Sequence, residues 1–341
     1  MRNQDSLATI LLCGRLGGGA VTPLKASEFW SLCDRVRSPG PLLGTSAGEL
    51  AETLDIDAVR AASVVGLLGR GTAVAFELER LTSSGIATLT PFDDGYPHRL
   101  VERLGHGAPP VLHTAGPVEL CGLSGVAIVG DAAAGASDDA SGVSAEAAER
   151  LVAAGVVVVS GAGVGITRTA MDAALAVEGT VVAVLADSLT NTLRRPEIRR
   201  AVLAGHAVMC TPYGPDTLRR PATERGRRTL IHALADVTFV VAADPEGGAF
   251  AAAVEALDAD VGRVAVWRGP GEGPGNAALV ELGAVAVTSL DGLTALVGGG
   301  TPAPNVPDAP PEPSEVAPAE PPASSVPPVT EQASLFDPPD S

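Results

Sequence analysis

Short continuous apolar runs alternate with longer stretches of helical periodicity along most of this chain. Val126–Gly130 is one such run, and Val156–Ser160 is another, which breaks into the loop Gly161, Ala162, Gly163, Val164, Gly165. Hydrophobicity that is continuous rather than alternating marks a strand covered on both faces. An Ala- and Glu-rich helical segment joins the two runs. This is a βαβ crossover, with both strand ends opening on one edge of a parallel sheet. The same texture recurs at Val181–Leu185, Ala207–Thr211, Val237–Ala242, Val264–Trp267 and Val285–Thr288. Helical segments fall at Ala145–Ala153, Thr169–Val177, Glu197–Ala204, Arg225–Leu234 and Ala249–Asp258. Together they predict an α/β fold, an extended Rossmann-like, doubly wound, mostly parallel sheet of six or seven strands within residues 86–297. Ligands of such sheets bind beyond the carboxyl ends of the strands.

The flanks read differently. Residues 1–85 show no strand alternation and form a small helical (SAM-like) domain. Ser46 and Glu49 have the spacing of a capping box, Leu50, Leu54 and Val59 follow at helical intervals, and Ala75–Ser83 is a further helix stopping near Gly85. Ile86–Thr90 is strand-like, and Asp93–Pro97 is turn chemistry. From Gly298 onward Pro, Ala and acidic residues dominate and no basic residue occurs, so 298–341 is expected to be a disordered tail.

Charge and composition narrow the function. A net charge of -17 over 341 residues argues against nonspecific coating of nucleic acid but not against a local basic site. Such a site is legible between Asn191 and Leu230. Arg194, Arg195, Arg199, Arg200, Arg219, Arg220, Arg225, Arg227 and Arg228 face only Glu197, Asp216 and Glu224, an excess of six positive charges. Most charge runs are solvated helix faces; the contrast with the acidic remainder favours an anion-binding face here. Tyr213 is the one aromatic residue nearby for base stacking. Four cysteines without a Cys-x-x-Cys pair fit buried thiols in a reducing cytoplasm. No run is long enough to span a membrane. The chain reads as soluble and cytoplasmic.

Catalytic constellations are absent from the pattern. The histidines at 98, 106, 113, 206 and 232 lack metal-ligand spacing, and Ser160 is not in a nucleophile elbow, so a loop-capping role suits it better. No Gly-Lys-Ser/Thr exists, which excludes a P-loop. The glycines at 161, 163 and 165 either present backbone N–H groups to a phosphate or only permit a tight turn. We therefore expect no enzymatic activity, no cofactor and no metal.

The ordered landmarks resemble the DNA-processing protein A family, also called Smf, of bacterial transformation. The resemblance runs from about residue 75 to 297. It rests on Tyr96-Pro97 with Leu100, Pro109-Pro110, Val126–Gly130, Ser160–Thr167, Gly179–Leu185, Arg227–Ile231, Gly262-Arg263 and Gly275-Asn276 with Leu279 and Gly283. It implies a protein that binds single-stranded DNA at the strand edge, protects it and helps load the RecA recombinase, as a homodimer and without catalysis. Gly130, Gly161, Gly163, Gly165, Arg168, Arg225, Arg227, Arg228 and Asn276 are the candidate DNA- and phosphate-binding residues. Where the family has Ser-Arg after the first core strand, this chain has Asp131-Ala132. Thr167, Met171 and Arg228 stand at its Asp, His and Asn. A carboxylate beside a phosphate path weakens binding unless screened or turned away; Arg168 and Arg228 are candidates to compensate. In the tail, Gln332, Leu335 and Phe336 resemble the peptide by which bacterial proteins dock on the DNA polymerase sliding clamp. Two other readings remain open. One is a nucleotide-binding, phosphoribohydrolase-like protein, whose Pro-Gly-Gly-x-Gly-Thr loop has its nearest counterpart in Pro245–Phe250. The other is a clamp-tethered adaptor with a degenerate core.

Overall fold

β-branched runs become strands in the order expected. The computed structural model describes residues 3–18, 21–131 and 137–297. Ala132 and the tail from 298, with Gln332, Leu335 and Phe336, lie outside them. The strands are β1 Ala87–Leu89, β2 Leu112–Ala115, β3 Gly125–Gly130, β4 Val157–Ser160, β5 Val181–Val184, β6 Ala207–Thr211, β7 Val237–Ala242, β8 Arg263–Trp267 and β9 Val285–Val287. They form one sheet in the order β1-β2-β6-β5-β4-β3-β7-β8-β9. β3 to β9 are mutually parallel and are the seven strands predicted. The sheet has nine strands rather than six or seven, because β1 and β2 add an antiparallel pair beside β6. β2 escaped the sequence pattern because His113 and Thr114 interrupt its apolar run, although both are buried. His113 Nδ1 lies 3.0 Å from Thr88 Oγ1 on the neighbouring strand.

Before the sheet come α1 Gln4–Cys13, α2 Ala26–Val36, α3 Ala47–Leu54, α4 Ala58–Leu68 and α5 Gly71–Ser83. Ser46 and Glu49 close the expected capping box on α3. That helix stops at Asp55, which takes a left-handed conformation. Val59 therefore belongs to α4 and is exposed, while Leu50 and Leu54 are buried. Leu12, Phe29, Leu50 and Leu67 form a core among these helices, and Ile10, Leu11, Val74 and Leu81 join the core against the sheet. α1 thus contributes to both. Arg70 secures it by donating to the carbonyls of Leu11 in its last turn and of Gly14 and Leu16 just past its end.

The remaining helices are α6 Arg99–Leu104, α7 Asp138–Ala153, α8 Ile166–Ala176, α9 Leu189–Thr192, α10 Pro196–Leu203, α11 Pro221–Leu234, α12 Gly248–Asp258, α13 Asn276–Glu281 and α14 Leu290–Ala295. They cover both faces. Ile128, Val158 and Val181 pack with Leu151 of α7 and Met171 of α8; Val129, Val159 and Val182 pack with Ile231 of α11 and Ala253 of α12. The chain winds outward one way from β3 to β6 and the other way from β7 to β9, so the topological switch lies between β3 and β7. At the far end of the sheet Arg99 and Arg103 donate to the carbonyls of Leu234 and Ala233, closing the C-terminus of α11. Asp236 pairs with both arginines. Among the described residues no single helix is long and apolar enough to cross a membrane, and no cluster of three His, Cys, Asp or Glu could hold a metal.

His232 on α11 is buried with Nδ1 2.9 Å from Thr238 Oγ1, and burial lowers its imidazole pKa to about 4. The unfolded chain, with its histidine near 6.5, binds more protons between these values. Stability is therefore lost as pH falls from 6.5 towards 4, by about 2 kcal/mol between pH 7 and 5 from this residue. His232→Asn should flatten the acid limb by that amount in urea unfolding measured against pH. An unchanged acid slope would refute the assignment.

Candidate nucleic-acid interface

The glycine loop between β4 and α8 is held from beneath by its own hydroxyls. Ser160 Oγ donates to Thr167 O at 2.7 Å and accepts from Ala162 N at 3.2 Å; Thr167 Oγ1 donates to Gly163 O at 3.0 Å. Ser160 is fully buried and acts in the loop-capping role expected of it. Gly165 has φ +80° and turns the chain into α8, whose first turn folds back on the Gly165 carbonyl through the N–H groups of Arg168 and Thr169. Val164 at the loop's tip stands in solvent.

Arg227 reaches this loop from α11. Its Nη1 donates to Gly161 O at 2.9 Å, and its Nη2 pairs with Glu224 at 2.5 Å one turn earlier. A Cβ at Gly161 would stand 3.1 Å from Arg227 Cζ, and one at Gly163 3.1 Å from Nη1. The two glycines therefore admit a guanidinium laid flat on the loop backbone. Only 12% of the Arg227 side chain is exposed, and its Nε is buried with no hydrogen-bond partner. Burial lowers its pKa, against the opposing pull of Glu224. Arg227, expected to touch phosphate, instead sets the loop's position. The Glu224–Arg227 pair, at helical i,i+3 spacing, was visible in the sequence as the signal for this role. Glu224 also pairs with Arg219.

Other candidates separate clearly. Arg225 is exposed and Arg228 half-buried; neither has a carboxylate partner among the described residues, and the same holds for Arg194, Arg199, Arg200 and Arg220. The three nearby acids are already engaged: Glu197 by Arg195 and Arg168, Glu224 by Arg219 and Arg227, Asp216 by Arg80. Arg168 is held by Asp172 at 2.7 Å as well as by Glu197 at 3.6 Å, so it bridges α8 to α10 rather than standing free. Tyr213 lies over α11, its hydroxyl donating to Thr223 O.

Asn276 is corrected outright. It is fully buried, its Oδ1 accepts from Ala243 N and its Nδ2 donates to Val241 O and Trp267 O, each at 2.8 Å. No polar atom remains for DNA; the amide ties β7 to β8. Gly130 likewise serves packing, since a Cβ there would run into Ile166 and stand 2.9 Å from Ala242 O. Asp131, the departure from the resembled motif, turns away from the glycine loop and across the switch point. Its Oδ1 accepts from Ala249 N at 2.7 Å and its Oδ2 from Asp244 N at 3.0 Å.

The sequence matches the family described as DNA recombination-mediator protein A over residues 87–298, more than half of the chain. The chain belongs to this family. Two curated relatives, each described as a putative DNA processing protein DprA and from two strains of Mycobacterium tuberculosis, are 35% identical over 244 residues, covering 66% of this chain. The chain spans only 61% of the length of these relatives. The fold of the recombination-mediator chain is shared with DprA from Streptococcus pneumoniae, at TM-score 0.62 and 20% identity over 80% of this chain and 98% of that one. It is also shared with DNA processing protein A from Helicobacter pylori, at TM-score 0.52 and 21% identity over 62% and 94%. The latter structure concerns that protein's single-stranded DNA binding mode.

Arg227→Ala should cost about 2–4 kcal/mol of unfolding free energy, because it leaves Glu224 short of a partner and the Gly161 carbonyl without its donor. Arg225→Ala should stay within about 0.5 kcal/mol. Chemical denaturation of both variants checks the division; equal effects would contradict it.

Proposed function

We propose that this chain binds single-stranded DNA along the carboxyl edge of its parallel strands, with Arg225 and Arg228 contacting phosphates beside the Gly161–Gly165 loop and Arg227 holding that loop in place. The observation that carries the reading is the set of four arginines, without carboxylate partners among the described residues, that follow the carboxyl ends of β5 and β6 in a strongly acidic protein. Arg194, Arg220, Arg225 and Arg228 lie in loops or helix turns that follow the ends of β5 and β6. An arginine fork matches phosphate oxygens bidentately, and several in a row neutralise successive phosphates. Family membership and the single-stranded DNA theme of the H. pylori relative support the same ligand.

On this reading the protein acts by binding, without catalysis or cofactor, in the cytoplasm. It protects incoming DNA and assists RecA loading during transformation, as a homodimer, with Gln332, Leu335 and Phe336 as a tethered clamp-binding peptide. The small-nucleotide alternative is weakened by Asp131, whose carboxylate occupies the switch-point crevice where such a ligand's phosphate would sit. Fluorescence anisotropy with a single-stranded oligonucleotide, titrated with salt, tests the central claim. The slope of log affinity against log salt should be about -0.7 per phosphate engaged, and Arg225→Ala with Arg228→Ala should reduce its magnitude by about 1.4. No binding at low salt, or a slope unchanged in the double variant, would overturn it.

A further inference from the structure

A cleft of about 490 Å³ opens where the helical region meets the sheet. It is bounded by Arg15 past the end of α1, by Glu77 and Arg80 of α5, and by Gly214 and Asp216 in the loop from β6 to α11. That loop runs on into Arg220, the N-cap of α11. At 1.5 Å per residue only about 12 Å of helix separates Arg220 from Arg228, so the cleft continues the arginine edge towards the helical region. Arg80 joins its walls, pairing with Glu77 at 3.0 Å and with Asp216 at 3.5 Å. Both acids that line the cleft are thus engaged. Arg15 is exposed and has no carboxylate partner among the described residues. It stands against the opposite wall, since a Cβ at Gly214 would lie 3.9 Å from its own.

Two large apolar side chains stand in solvent beside this cleft. Phe76 of α5 and Leu218, two residues after Asp216, are each 69% exposed. At 3.6 residues per turn, Glu77 and Arg80 lie on one flank of Phe76 and the exposed Glu79 on the other. The phenyl ring therefore borders the cleft on the side where the acids are neutralised. An unpaired base needs such a ring, because stacking on an aromatic face is how single strands are held without sequence preference. The arginine edge lacks one of its own. Tyr213 is half-buried over α11 with its hydroxyl committed to Thr223 O.

We infer that this cleft is a second segment of the path for single-stranded DNA, in which Arg15 takes a phosphate and Phe76 stacks on an unpaired base. The inference rests on the reading that the arginine edge binds single-stranded DNA. It adds that the helical region takes part in that binding. Arg15 and Arg220 supply the charge complementary to the phosphates, and Phe76 and Leu218 supply apolar surface for the bases.

The test uses the full chain and an oligothymidylate, read by fluorescence anisotropy across a salt series. Both residues are exposed, so their substitution should leave the fold intact. Phe76→Ala should weaken binding by roughly 5- to 150-fold, the worth of one stacked base, with the salt slope unchanged. Arg15→Ala should reduce the magnitude of that slope by about 0.7, one phosphate. Phe76→Trp should keep the affinity and report the oligonucleotide by a change in indole emission beyond that of the parent's Trp30 and Trp267. Binding that responds to Arg225→Ala with Arg228→Ala but not to Arg15→Ala or Phe76→Ala would overturn this inference and leave the arginine edge standing. A parent that binds no single-stranded DNA at low salt would overturn both. Unchanged DNA affinity in Phe76→Ala with loss of self-association in sedimentation would assign the patch to a second copy of the chain, and would overturn the inference as well.

Discussion

The parallel seam between β3 and β7 is the constraint on which the rest of the site depends. It runs in register from Val126 opposite Val237 to Val129 opposite Val240, then shifts so that Gly130 faces Ala242. At that irregularity the chain reverses its direction of winding, and two strand ends diverge to opposite faces. The divergence would leave polar backbone groups uncovered, and the neighbouring residues are those that satisfy them. Asp131 N donates to Ala242 O, and the Asp131 side chain satisfies Asp244 N and Ala249 N. Asn276 satisfies Ala243 N from the other side. Gly130 lets Ile166 of α8 close over the strand end.

α11 carries the arginines and is fixed at both ends by opposite chemistry. At its C-terminus Arg99 and Arg103 meet the last carbonyls, which suits the negative end of the helix dipole. Towards its N-terminus Glu224 and Arg227 tie it to the glycine loop. Arg220 is its N-cap, at the end where the dipole disfavours positive charge, while Arg225 and Arg228 stand beyond the first turn, where that effect has faded.

Sequence patterning located the seven parallel strands because β-branched runs buried on both faces have few competing readings. It located the arginine cluster for an equally simple reason, a local excess against an acidic background. It failed where one residue type serves two purposes. Gly130 and the glycines at 161 and 163 look alike in a motif, yet the first admits a neighbouring side chain and the others admit Arg227. Asn276 became a candidate through the resembled Gly275-Asn276 motif, which does not tell a ligand-binding amide from the buried tie between β7 and β8 that it is. Asp131 read as a loss of cationic function, and only its long-range partners reveal a structural gain. β2 was missed because two buried polar residues broke its hydrophobic signature.

The acidic body and the basic edge are compatible once distance is considered. Seven of the forty acidic residues lie after Gly298, where no basic residue offsets them. At physiological ionic strength charges farther apart than about 8 Å are largely screened, so a phosphate at the edge responds to the arginines it touches more than to the net charge of -17. The carboxylates close to these arginines include Glu197, Glu224, Asp131 and Asp187, the last an exposed acid just past β5 that acts on Arg227 through space. The first two are neutralised by two arginines each, and the third is hydrogen-bonded into the α12 N-terminus. Most of the acids near these arginines are therefore engaged, while the net negative charge remains on the rest of the chain to oppose indiscriminate adsorption to nucleic acid.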